Sequence, residues 1–260
     1  TKTEGGKGTL KQADREKSLQ ALMTTNLLKR LESSVHAFRK TLGALSGNIG
    51  RTLDAIAQFE ASGGAATVED LDIDLEAVAD EDDDFADFSV GKKIKIDLAD
   101  MDVTWKQELS VDKIIIDGLI AEMEKVTPED DAKLQHLIAE IAGKMANPLN
   151  PGNRKVVVFT AYADTANYLF DQLAPHFADA QNIHSGIVTG SGNPRTTLKK
   201  YYDFQSVLTL FAPRAKEKDK IMPDDPAELD ILIGTDCISE GQNLQDCDYL
   251  INYDIHWNPV

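Results

Sequence analysis

The chain has 260 residues and an ordinary apolar fraction of 42%, enough for one large or two modest domains. Its 44 acidic against 27 basic residues give a net charge of −17, which argues against a free-standing nucleic-acid binder held by a broad basic surface. Cys237 and Cys247 are too few for a disulfide scaffold and form no CxxC pair. No apolar run approaches the roughly 20 residues that span a bilayer, and "TKTEGGKGTLKQADREK" at the N-terminus lacks a signal-peptide core, so a cytoplasmic protein with no membrane partner is expected.

In chain order, "DREKSLQALMTTNLLKRLESSVHAFRKTL" places Leu19, Leu22, Met23, Leu27, Leu31, Val35, Phe38 and Leu42 at helical spacing. A second helix is expected from about Ile49 to Phe59, ended by "SGG" at Ser62–Gly64. Between Glu69 and Asp87 the chain is densely acidic without a Lys or Arg, and like charges this close predict a mobile loop near 67–90. It is no EF-hand: "DLDIDLEAVADE" lacks the glycine that the sixth position of such a loop requires. Two amphipathic helices follow. One carries Leu119, Ile120, Met123 and Val126. The other carries Leu134, Leu137, Ile138, Ile141 and Met145, and starts after "TPEDD". "NPLNPGNR" breaks the chain, so a helical lead-in over 1–150 and a second domain over 151–260 are expected.

From Arg154 the pattern changes. "KVVVFT" is a continuous apolar run of the kind found in a strand covered on both faces. "ADTANYLFDQL" predicts a helix with Asp164 as N-cap. "NIHSGIVTGSGN" offers a second strand and a glycine turn, and "PRTTLKKYYDFQSVL" another helix. "FAPRAKEKDKIMPDDPAE" predicts a loop, "LDILIGT" a third strand and "CDYLINYDI" a fourth. Strands alternating with helices predict an α/β fold with a parallel sheet, whose ligands gather at the carboxyl ends of the strands. Those ends, "FTAY", "TGSG", "GTDCISEGQN" and "YDIHWNP", are all polar, as one ligand-facing edge requires.

The chemistry lies in those ends. "EGGKGT" is not a Walker A loop, because Lys7 is followed by Gly8 and no strand precedes it. HExxH, GxSxG and paired Cys/His metal sets are absent, and no metal or catalytic residue is assigned. His184 and His256 read as strand or turn residues, Trp257 and Pro259 as packing residues.

"LDILIGTDCISEGQNLQDCDYLINYDIHWNP" resembles motif V and its continuation in superfamily-two helicases. More narrowly it resembles the Swi/Snf branch, including the bacterial RNA-polymerase-recycling ATPases. "RKVVVFTAYADTANYL" resembles motif IV of that family, "VTGS" the element after it, and "NLLKRLESSVHAFRKTL" the helix that introduces the second lobe. The resemblance spans about Asn26 to Val260 discontinuously, with the acidic stretch as an insertion. It implies a RecA-like C-terminal lobe of an ATP-dependent DNA helicase or translocase (a nucleotide-binding hydrolase).

By resemblance, Thr160, Thr189, Gly190 and Thr235 touch the DNA backbone, and Glu240, Gly241 and Asn243 face ATP. The implied partners are duplex DNA, the N-terminal lobe of the same polypeptide, and RNA polymerase or another DNA-bound protein. ATP and Mg²⁺ serve the full-length protein, with neither held tightly by this lobe. The family's Gln-x-x-Gly-Arg-x-x-Arg motif would follow Val260, so an incomplete lobe, inactive in isolation, is expected. Two other readings stay open: a protein-interaction module around a degenerate α/β domain, and a small-molecule α/β enzyme using the same loops.

Overall fold

The structure is a computed structural model and describes residues 12–62, 104–181, 183–190, 192–238 and 242–255. The acidic stretch expected near 67–90 lies outside the described residues. The chain divides into two compact units, one of Thr1–Glu32 and Lys40–Gly118, the other of Ser33–Arg39 and Leu119–Val260.

Helix α1 spans Gln12–Ser33 and α2 spans Val35–Ala61. The apolar stripe read as one helix through Leu42 is thus interrupted at Ser34. The cause is local: Ser34 Oγ accepts the Ala37 N–H at 3.0 Å, the bond of an N-cap residue to its third helical position. In the first unit α2 meets α3 (Thr104–Met123) through polar contacts. Ser46 Oγ donates to Asp117 at 2.5 Å, and Lys113 reaches both Ser46 and Asp117. The Ser46 bond, with Lys113 beside it, holds the Asp117 carboxyl below the usual carboxylate range. Helix α3 has no buried residue, and Val111, Ile114 and Ile115 are exposed along it.

The second unit holds a five-stranded sheet. Its strands are β1 (Val156–Phe159), β2 (Ser185–Val188), β3 (Arg195–Thr196), β4 (Ile231–Gly234) and β5 (Leu250–Asn252), in the order β3-β2-β4-β1-β5. All neighbours run parallel except β3, an antiparallel edge strand on β2. The central strands β1 and β4 carry no polar side chain, and β2 only Ser185, because both faces are covered. Val156, Val158, Ile187, Ile231 and Ile233 point to one core, with Leu134, Leu137 and Ile141 of α4 (Ala132–Ala146) and Ala166, Leu169, Leu173 and Phe177 of α5 (Ala163–Gln181). Val157, Val188 and Leu232 point to the other, with Val207, Leu208 and Phe211 of α6 (Phe204–Phe211).

Three local expectations are corrected. "PRTTLKKYYDFQSVL" does not form one helix: Arg195 and Thr196 pair with β2, and the helix begins only after Asp203, whose carboxylate caps the Ser206 N–H at 2.8 Å. Asp164 lies inside the first turn of α5 and does not precede it. The loop after α6 contains a short helix, α7 (Lys218–Ile221). Helix α4, read from sequence as part of the lead-in, packs into the sheet core. It starts where "TPEDD" placed it: Asp131 caps the Leu134 N–H at 2.9 Å and accepts from the Tyr168 hydroxyl at 2.9 Å, locking α4 to α5. Burial, then that carboxylate, push the Tyr168 hydroxyl well above the usual tyrosine range.

Two constraints act at opposite ends of the sheet. Lys144, whose side chain is 1% exposed, pairs with Asp248 at 2.6 Å and donates to the Asn153 carbonyl at 2.9 Å, tying α4 to the approach into β5. Burial alone would raise the Asp248 pKa, but Lys144 and Asn150 hold it below the usual carboxylate range. At Gly234, an added Cβ would lie 2.4 Å from Ile238 Cδ1 and 3.1 Å from the Val188 carbonyl oxygen, so only glycine lets the chain fold back there.

Lys144→Met leaves a mostly buried carboxylate without its counter-charge. It should lower unfolding free energy by about 2–3 kcal/mol in urea titration, discounted because Asp248 reaches solvent. Because the folded Asp248 pKa lies below its unfolded value, this stabilisation is present above about pH 4 and is lost as pH falls through the folded value. Asp248→Asn should flatten that part of the pH–stability curve. Gly234→Ala should lower the urea midpoint by the equivalent of about 1–3 kcal/mol with an unchanged slope.

Candidate functional site

Phe159 lies opposite both Gly234 and Asn252, and Val188 lies opposite Gly234. The four parallel strands therefore end on one line, and the residues that follow them, Thr160, Thr189, Thr235 and Tyr253, form one rim. The ladder runs one step past the strands: Thr160 N–H donates to Gly234 O at 3.1 Å, Thr235 N–H to Val188 O at 3.4 Å, and Tyr253 N–H to Phe159 O at 2.7 Å.

The rim has two unlike halves. On the β1–β5 side, Thr160 is 3% exposed. Its hydroxyl donates to Asp254 Oδ2 at 2.6 Å, and the Ala161 N–H donates to the same oxygen at 2.7 Å. The Asp254 side chain is 7% exposed, and Lys133 lies 3.6 Å from its other oxygen. Lys133 also donates to the Ser33 carbonyl at 3.0 Å and sits over the Tyr253 ring, 4.2 Å from its centroid. Ser33 and Ser34 place their hydroxyls 2.7 and 2.9 Å from Thr165 Oγ1 in the first turn of α5. The break between α1 and α2 thus covers this half of the rim.

The β2–β4 side is more open. Thr189 is half-buried and Gly190 exposed, with Gly192 held close to the Thr189 hydroxyl. Thr235 is buried, its hydroxyl facing Cys237 Sγ at 3.6 Å, and its carbonyl accepts from Ile238 to close the short turn Asp236–Ile238. Beyond that turn Glu240 and Gly241 lie outside the described residues. Asn243 is exposed, and its side-chain oxygen accepts the Gln245 N–H at 3.4 Å. The loop returning to β5 is pinned at both ends: Gln242 accepts from Lys216 at 3.1 Å, and the Asp246 carboxylate accepts the Arg214 and Ala215 N–H groups at 2.7 and 3.0 Å.

The structure therefore brings Thr160, Thr189, Gly190 and Thr235 to one edge, but presents only Thr189 and Gly190 outward. Three residues central to the edge went unassigned from sequence. Asp254 opens the Asp-x-x-Trp-Asn-Pro pattern and was visible there without a role. Ser34 carries a signal in the paired serines of "ESSVHAF", where an N-cap interrupts a helical stripe. Lys133, inside a helix after "EDD", carries none.

Residues 132–260 match the family model described as the helicase conserved C-terminal domain, just under half of the chain. No individual curated protein matches the chain. No helix among the described residues is long and apolar enough to cross a membrane. The matched segment begins with α4 and carries the whole described sheet, the glycine-bearing loop after β4 and the aligned strand ends. Residues 132–260 are similar to the conserved C-terminal domain of helicases, and their sheet and helices form a RecA-like α/β fold.

Proposed function

We propose that this is the second lobe of a Swi/Snf-type, superfamily-two DNA translocase, whose full-length protein couples ATP hydrolysis to movement on duplex DNA or to remodelling of a protein–DNA complex such as DNA-bound RNA polymerase. The alignment of four strand tips on one edge is the observation that carries this reading. A translocating ATPase closes two such edges on each other, and closure shifts one backbone grip relative to the other. On this reading Thr189 and Gly190 supply a neutral contact to phosphate oxygens from a hydroxyl and backbone N–H groups. Thr160 and Thr235 support the contact from beneath, since both hydroxyls are buried. Glu240, Gly241 and Asn243 face the nucleotide.

Among the described residues, the β1–β5 half of the rim offers no phosphate grip for ATP. A triphosphate requires cations or a cradle of N–H groups, and the cation on the β1–β5 half of the rim, Lys133, is engaged by Asp254 and the Ser33 carbonyl. MgATP, when bound, supplies the phosphoryl-transfer chemistry. This lobe supplies the loop that closes over it, and the magnesium-binding acids belong to the partner lobe of the same polypeptide. We place the protein in the cytoplasm on this reading.

The alternative, a protein-interaction module around a degenerate α/β domain, rests on the exposure of Val111, Ile114 and Ile115 along α3. The two readings differ in what DNA does to turnover.

A polypeptide of these 260 residues contains no Gly-x-x-x-x-Gly-Lys-Ser/Thr sequence, and a phosphate-release assay on it should show no ATP turnover above buffer. The full-length protein should hydrolyse ATP faster with duplex DNA present. Gly190→Glu, which sets a carboxylate on an exposed turn, should weaken duplex binding about tenfold in fluorescence anisotropy, with stability changed by less than about 0.5 kcal/mol. Turnover indifferent to DNA, together with partner capture lost on deleting Glu69–Asp87, would establish the interaction module instead.

A further inference from the structure

One carboxylate gathers four separate stretches of the second unit. Asp254 follows β5, Thr160 and Ala161 follow β1, Lys133 opens α4, and Ser33 ends α1. The carboxylate accepts two short bonds through one oxygen and faces the Lys133 ammonium with the other. Burying an ionised group is costly unless it is paired and hydrogen-bonded, and the burden falls on Asp254: its side chain is 7% exposed, whereas the Lys133 ammonium has water within reach. Lys133 is held on its far side by the Ser33 carbonyl, and Ser33 and Ser34 are held in turn by Thr165. His36 adds a stacked contact on the Tyr168 ring, with centroids 5.0 Å apart and planes 9° from parallel. Segment Ser33–Arg39 thus meets the lobe at Thr165, at Lys133 and at Tyr168.

We propose that Asp254 is a positioning residue that clasps the tips of β1 and β5, and that Lys133 couples this clasp to the Ser33–Ser34 helix break, so that the break and this half of the rim order or loosen together. Tilting the break moves the Ser33 carbonyl away from Lys133. Lys133 then loses a partner and relaxes toward solvent, and Asp254 loses the charge that compensates its burial. The Thr160 hydroxyl and the Ala161 N–H are the groups released. The coupling is reciprocal, as any equilibrium linkage must be: freeing Asp254 loosens the break.

The test is site-resolved amide exchange on the 260-residue chain and is independent of nucleotide or DNA chemistry. The reporters are the Ala161 amide, bonded to Asp254, and the Ala37 amide, bonded to Ser34. Val157 and Val158 in β1 serve as the global control. Lys133→Met should speed exchange about tenfold or more at both reporters and leave the control unchanged. Lys133→Arg, which keeps the cation, should restore both toward wild type. Ser34→Ala should speed exchange at Ala161, which it does not touch, and should add nothing there once Lys133 is already Met, because the signal runs through Lys133. The proposal is overturned if Lys133→Met affects only one reporter or moves the control equally. It is also overturned if Ser34→Ala leaves Ala161 unchanged, or if Ser34→Ala and Lys133→Met act additively at Ala161.

Discussion

Parallel pairing in a common register is the constraint on which the site depends. Strand residues alternate between two buried faces, so a shift of one position would move Val157 into the core of Val156 and Val158 and unpack both. The valines and isoleucines of β1, β2 and β4 therefore fix more than the stability of the sheet. They set where each strand stops relative to its neighbours. Because Phe159, Val188, Gly234 and Asn252 share one line, the polar residues after them share one edge. Gly234 sharpens the stop, since the absence of a side chain lets Ile238 fold back over the strand end and turns the chain into its loop.

The edge so built is divided by hydrogen bonding. On the β1–β5 side, the Thr160 hydroxyl bonds the buried Asp254 carboxylate, and Lys133 stands between that carboxylate and the Ser33 carbonyl. On the β2–β4 side, the turn from Thr189 to Gly192 reaches solvent. Pairs of buried charges are weak contributors to net stability, because desolvation offsets most of the attraction, but they discriminate strongly among geometries. Here the discriminated geometry is the seating of a helix break against a sheet edge. Lys144 and Asp248 do comparable work at the opposite edge, where they fasten α4 to the chain entering β5. Helix α4 thus carries a half-exposed lysine, Lys133, near its start and a buried one, Lys144, near its end, and each reaches a carboxylate on one side of β5.

How much of this was legible in the sequence follows from which signals are local. The buried strands announced themselves as apolar runs, and three of the four parallel strands end in threonine followed by small or polar residues, which marks the edge. Asp131 and its preceding "TPEDD" fixed the start of α4 to the residue. The failures came where a tertiary partner overrode a periodic pattern. Arg195 and Thr196 lie in a stretch with helical spacing, yet β2 offers them a ladder, and Asp203 restarts the helix later. Leu31, Val35 and Phe38 keep one stripe across Ser34, so periodicity alone could not show that the backbone breaks there. The roles of Lys133 and Asp254 were invisible because a salt bridge between residues so far apart in sequence leaves no pattern in either neighbourhood. Thr160 illustrates the converse: the family resemblance marks it as a contact residue, and the fold directs its hydroxyl inward to Asp254.

The charge of the chain bears on the proposed function more narrowly than its total suggests. Eleven of the 44 acidic residues fall between Glu69 and Asp87, outside the matched lobe, while 132–260 holds 16 acidic and 11 basic residues. On the β1–β5 half of the rim the cation, Lys133, is compensated by Asp254, and the outward groups at Thr189 and Gly190 are neutral. A lobe of this kind releases few counterions when it meets a polyanion, so it contributes little to salt-dependent affinity. Under the proposed function its contribution lies in geometry: neutral donors held on a sheet edge would report position along a phosphate backbone without gripping it strongly. A weak grip on one side would suit the proposed stepping, since a lobe that bound tightly at every stage could not release and advance.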